Sequence, residues 1–141
     1  KLDLKGLESF CENVSVNLKL GDIICLFGEL GSGKTTVVRN LINSIYKRNK
    51  LEKPISIKSP SFPILLTYEV NSFEIYHYDL YRILKRSDLS EINIFEELNN
   101  SITFIEWPEI ILDMLKDYNF YSINLVIADE DTRIIKHNLI F

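Results

Sequence analysis

A chain of 141 residues fits one domain with one core, and 46% hydrophobic against 26% charged residues excludes intrinsic disorder. The net charge of -4 excludes a broad basic surface for nucleic acid, so any connection to RNA is expected to run through a partner. No apolar run approaches the roughly 20 residues of a membrane-spanning helix and no signal-peptide core opens the chain, which points to a cytoplasmic protein with no membrane association.

In chain order, Leu7, Phe10, Cys11, Val14 and Leu18 recur at helical spacing and predict an amphipathic helix over about residues 4 to 16. Gly21-Asp22 reads as a turn, and the apolar run Ile23-Ile24-Cys25-Leu26-Phe27 suits a strand buried on both faces of a parallel sheet. After a glycine-rich turn, Val37, Val38, Leu41, Ile42 and Ile45 mark one face of a helix ending near Tyr46. Residues 47 to 61, with Lys47, Arg48, Lys50, Lys53 and Lys58 among Pro54 and Pro60, read as a solvated loop. Residues 64 to 70 and 73 to 78, split by Asn71-Ser72, predict a hairpin. Beyond it the pattern predicts one or two short helices over 87 to 99, a buried strand over 102 to 106, a helix over 109 to 117, and closing strands over 121 to 127 and 133 to 140. The expected fold class is α/β: a single P-loop NTPase-like domain over 1 to 141, with a mostly parallel central sheet, an antiparallel hairpin and flanking helices. Cys11 and Cys25 have neither C-x-x-C spacing nor paired histidines, so both are expected to be small buried hydrophobes.

All five glycines (Gly6, Gly21, Gly28, Gly31 and Gly33) fall in the first 33 residues, and three of them lie in one turn. That turn, Gly28-Glu29-Leu30-Gly31-Ser32-Gly33-Lys34-Thr35, matches G-x-x-x-x-G-K-[ST]. The glycines let the backbone wrap a polyphosphate, so the N–H groups from Glu29 and Leu30 through Gly31, Ser32 and Gly33 can point inward. The helix beginning near Lys34 adds its positive dipole end. Lys34 is the cationic catalytic group expected to reach the β and γ phosphates, and the Thr35 hydroxyl is placed to ligate Mg²⁺. Thr36 lies in the first helical turn, within the same nucleotide-binding run.

Hydrolysis also requires a carboxylate for the metal and another to position the attacking group. Asp79 follows the strand pattern Phe73 to Tyr78, and Glu106 ends the strand Ile102-Thr103-Phe104-Ile105, at sheet edges where α/β folds bind ligands. A helix cap for Asp79 and a surface acid for Glu106 are the structural alternatives. Trp107, the only tryptophan, is followed by Pro108 and suits either core packing or a stack against a base. His77 and His137 read as structural histidines on strands.

Together, Gly28 to Thr36, Ser59-Pro60-Ser61-Phe62, His77-Tyr78-Asp79-Leu80-Tyr81-Arg82 and Ile105-Glu106-Trp107-Pro108-Glu109 resemble the bacterial TsaE family over about residues 4 to 128. The resemblance implies an ATP- and Mg²⁺-dependent ATPase. It would act with the TsaD and TsaB proteins, which install threonylcarbamoyl on adenosine 37 of tRNA, and its hydrolysis would reset that machinery between turnovers. It further implies that Thr35 and Asp79 hold Mg²⁺, with Glu106 in the same metal and water site, orienting or activating the water. Trp107 would lie beside the nucleotide base, and Ser59 to Phe62 would form a switch-like loop over the γ phosphate. Ser61 stands where the family usually has threonine, and Ile92-Asn93 stands in the region of its Leu-Gly pair, so no role is carried over to Glu91.

A GTPase is excluded because its Asp-x-x-Gly switch requires a later glycine, and none follows Gly33. Two alternatives remain: a small-molecule or nucleoside P-loop kinase, in which Arg82 and Arg86 would clamp an acceptor or the transferring phosphoryl group, and a nucleotide-gated binding subunit with negligible turnover of its own.

Overall fold

The computed structural model describes residues 1–54, 64–83 and 98–139. Ser59 to Phe62, Arg86, Glu91, Ile92-Asn93 and most of the stretch 87 to 99 lie outside the described residues. Helix α1 (Leu4–Asn17) is capped by the Asp3 carboxylate, which accepts from the Gly6 N–H at 2.8 Å. Strand β1 (Ile23–Phe27) and helix α2 (Lys34–Arg48) flank the glycine turn as expected, with α2 running two residues past Tyr46. The hairpin is β2 (Leu65–Val70) and β3 (Phe73–Asp79), followed by β4 (Ser101–Glu106), β5 (Phe120–Ile127) and β6 (Arg133–His137).

These six strands form one sheet in the order β2-β3-β4-β1-β5-β6. The four central strands are parallel, whereas β2 and β6 pair antiparallel at the two edges, so there are two hairpins. Cys11 and Cys25 are fully buried, and that burial pushes both thiols up to about 12, so they behave as hydrophobes. Alternation assigns the faces. Ile24, Leu26, Ile75, Phe104, Ile123 and Leu125 pack under α1 and α2, while Ile23, Cys25, Tyr78 and Ile105 pack against Ile111 and Leu115 on the other side.

The stretch 109 to 117 corrects the sequence-based expectation of a helix. It is a 3-10 turn, Pro108–Ile111, continued by turns in which Met114, Leu115 and Tyr118 bond back mostly three residues. Only Pro108, Ile111 and Leu115 are buried, so three anchors set its path and no apolar stripe sustains an α-helix. Strand β6 likewise ends at His137, short of the expected 140; there the Asn138 side chain turns back to accept from the Ser122 N–H at 2.7 Å. No described helix is long and apolar enough to cross a membrane.

Candidate functional site

Between β1 and α2 the backbone takes a path open to glycine. Gly33, the residue before α2, has φ 105°, and a Cβ on Gly28 would stand 2.4 Å from Ser32 Oγ and 2.8 Å from the Leu125 carbonyl. The Ser32 N–H closes the turn onto the Glu29 carbonyl at 3.0 Å, leaving Leu30 exposed at its tip. The Lys34 ammonium folds into the loop, donating to the carbonyls of Gly28 at 2.7 Å and Glu29 at 3.0 Å. Burial lowers its pKa, and the nearby carboxylates, Glu106 first and then Asp79, pull it back up.

The facing wall comes from the β3–β4 register. Asp79 pairs with Glu106, and Leu26, the penultimate residue of β1, lies level with Glu106 on the other side. His77 lies two residues before Asp79 and so shares its face. All six residues of β4 are buried, Glu106 among them at 2% exposure, which overturns its reading as a surface acid. A carboxylate so deeply placed requires donors. The Thr35 hydroxyl donates to Oε1 at 2.9 Å and Oε2 at 3.1 Å, and His77 Nε2 lies 2.5 Å from Oε2. Asp79, also buried, accepts from the Tyr81 N–H at 3.0 Å, an Asx turn that bends the chain at the end of β3; no helix starts there among the described residues, so the contact is not the helix cap of the structural alternative.

Trp107 adopts a left-handed backbone with φ 55°, a conformation costing a non-glycine residue about 1–2 kcal/mol, just before Pro108. That bend lays its ring over Lys34, with Nζ 4.2 Å from the ring centroid, and against the Tyr81 ring at 4.8 Å. Gly31, Gly33, Lys34, Thr35, Thr36, Asp79, Glu106 and Trp107 thus line one cavity of about 440 Å³, with Leu30, Tyr81 and Arg82 at its margin. A second cavity of about 530 Å³ meets it at Gly33 and Thr36 and runs between Leu2 to Lys5 and the β5–β6 turn, Glu130 to Arg133.

The expected site residues therefore converge, from Gly31 through Thr36 to Asp79, Glu106 and Trp107, with Glu29 contributing its carbonyl and Ser32 lining the second cavity. Sequence reasoning missed two residues. Arg133 reaches across from β6 to donate to the carbonyls of Ser32 at 2.9 Å and Gly31 at 3.4 Å, holding them away from the cradle. No motif announces it. His77, read only as structural, is joined to Glu106; its place two residues before Asp79 on one strand face was the available signal.

The glycine turn between a parallel strand and a helix, with acids at the ends of the neighbouring strands, defines a P-loop NTPase-like α/β fold. Consistent with this, the solved Bacillus subtilis YdiB superposes with a TM-score of 0.66 at 21% identity, covering 96% of this chain and 79% of that one. The family described as "Threonylcarbamoyl adenosine biosynthesis protein TsaE" matches residues 3–135. The tRNA threonylcarbamoyladenosine biosynthesis protein TsaE of Rickettsia typhi is 36% identical over 140 residues, covering 97% of this chain and 93% of the relative. The protein of that name from Aquifex aeolicus is 33% identical over 98 residues, covering 70% of this chain and 66% of its own. The chain belongs to the TsaE family, which takes part in tRNA threonylcarbamoyladenosine biosynthesis.

Proposed function

We propose that this chain binds and hydrolyses Mg-ATP, and that it does so as a partner-dependent component acting with TsaD and TsaB, reaching tRNA only through that complex. The observation that carries the reading is the convergence of Lys34, Thr35, Asp79 and Glu106 on one cavity at the ends of β1, β3 and β4.

The donor set fits magnesium. Among the described residues no group of three or more His, Cys, Asp or Glu side chains is arranged to hold a metal alone. Thr35 and Asp79 instead offer one hydroxyl and one carboxylate, with the Glu106 carboxylate beside them on the water side of the same site, and Mg²⁺ takes one or two carboxylates while keeping waters and phosphate oxygens. When bound it would neutralise charge on the phosphates. Lys34 would leave the loop carbonyls to meet the terminal phosphates, and the backbone N–H groups from Glu29 to Thr36 would hold the rest. Glu106 would accept the hydrogen bond that orients the attacking water.

The ring of Trp107 lies over the ammonium that would meet the terminal phosphates, so we assign it to that end rather than to the base. The nucleoside would lie past Thr36 in the second cavity, between Leu2 to Lys5 and Glu130 to Arg133. A cytoplasmic location accords with this role.

The test compares ATP turnover of the chain alone with turnover after adding TsaD and TsaB, while monitoring where the γ-phosphoryl goes. A rise in inorganic phosphate release is expected. Equal rates despite demonstrated complex formation would remove the partner-stimulated mechanism, and transfer to a small metabolite or nucleoside would establish a kinase instead.

A further inference from the structure

His77 belongs neither to the phosphate loop nor to the pair of carboxylates, yet its side chain is fully buried beneath them. We propose that His77 is the positioning residue of Glu106: its Nε2–H holds Oε2, so that Oε1 is presented to the cavity in one fixed rotation. This rests on the reading of Glu106 as the acid that orients water.

A carboxylate only accepts, so His77 Nε2 carries the hydrogen in its 2.5 Å contact with Oε2. The Thr35 hydroxyl touches both oxygens at nearly equal distances, 2.9 and 3.1 Å, and cannot by itself select a rotation of the carboxylate. His77 touches one oxygen. It also sits on β3, bonded on both sides by β2 and β4, where the backbone cannot drift.

The other ring nitrogen, Nδ1, is buried without a hydrogen-bond partner among the described residues. Burying an unpaired polar atom lowers stability, and a leucine would fill the place without that cost. The histidine therefore contributes something that packing does not need. The bond to Glu106 is that contribution.

Two substitutions separate positioning from packing. His77→Leu removes the donor, and His77→Gln restores an amide N–H near the position of Nε2. With saturating Mg-ATP and with TsaD and TsaB present, His77→Leu should lower kcat about 100-fold, the effect of a misplaced reacting group, and leave Mg-ATP affinity within about threefold. His77→Gln should recover most of the rate, and His77→Leu should add nothing in a Glu106→Gln background.

A nucleotide-free measurement runs beside these. The melting-temperature shifts of His77→Leu and Glu106→Gln should be non-additive in the double variant, as for groups in contact. Additive shifts, a wild-type kcat in His77→Leu, or a loss that His77→Gln does not restore would overturn the proposal. If the wild-type protein fails to hydrolyse ATP even with TsaD and TsaB present, the functional reading falls while the unfolding cycle still decides the pairing. If His77→Leu does not fold, His77→Asn, whose amide stops short of Glu106, takes its place with the same expected loss.

Discussion

The phosphate loop is made by eight consecutive residues, whereas the wall facing it is assembled from two strands, so that Thr35 and Glu106 meet across 71 positions of sequence. The loop's shape comes from its own glycines and from Lys34 folding onto its carbonyls. The wall's shape comes from the parallel register that sets Asp79 beside Glu106. Damage to the two should therefore differ in kind. Loop changes should act on nucleotide affinity and loop stability, and wall changes on metal use and turnover.

Of the four changes that set loop against wall, Lys34→Met should have the largest effect, because it removes the loop's buried cation. Mg-ATP turnover should fall on the order of 10²–10³-fold, and calorimetric titration should show weakened binding. Asp79→Asn attacks the wall instead: half-maximal activity should require about 10- to 100-fold more magnesium, with affinity for metal-free ATP little changed. If both variants lost affinity for metal-free nucleotide equally, the division between loop and wall would break down.

Gly28→Ala sharpens the comparison from the stability side. The new Cβ would collide with the Leu125 carbonyl, which the sheet holds in place, so denaturant unfolding should report a loss of about 1–3 kcal/mol. Arg133→Ala should be mildest. It frees the Gly31 and Ser32 carbonyls to turn toward the cradle and should weaken ATP binding about fivefold, or about 1 kcal/mol, with kcat preserved.

The same contrast explains what could be read in advance. Ile23 to Phe27 formed a strand because a continuous apolar run has no exposed face to offer, and the glycine turn announced itself by residue type. Asp79 and Glu106 could be named from the strand ends, but their side-by-side placement needed the β3–β4 register, and register between strands distant in sequence leaves no local trace. The burial of Glu106 was hidden for the same reason, since a strand flanked on both sides buries its last residue as fully as its first. Arg133 acts through carbonyls 101 and 102 positions away, and no spacing rule reaches that far. The apolar residues of 109 to 117 suggested a helix, yet burial of only Ile111 and Leu115 among them produced turns.

The account stands most directly on Glu106. Mg-ATP binding by calorimetry and phosphate release in the presence of TsaD and TsaB should be measured for the wild-type chain and for Glu106→Gln. The account predicts affinities within about threefold and a turnover lowered by about 10²–10⁴, the usual contribution of a positioned general base. Glu106→Gln releasing phosphate at the wild-type rate would contradict it.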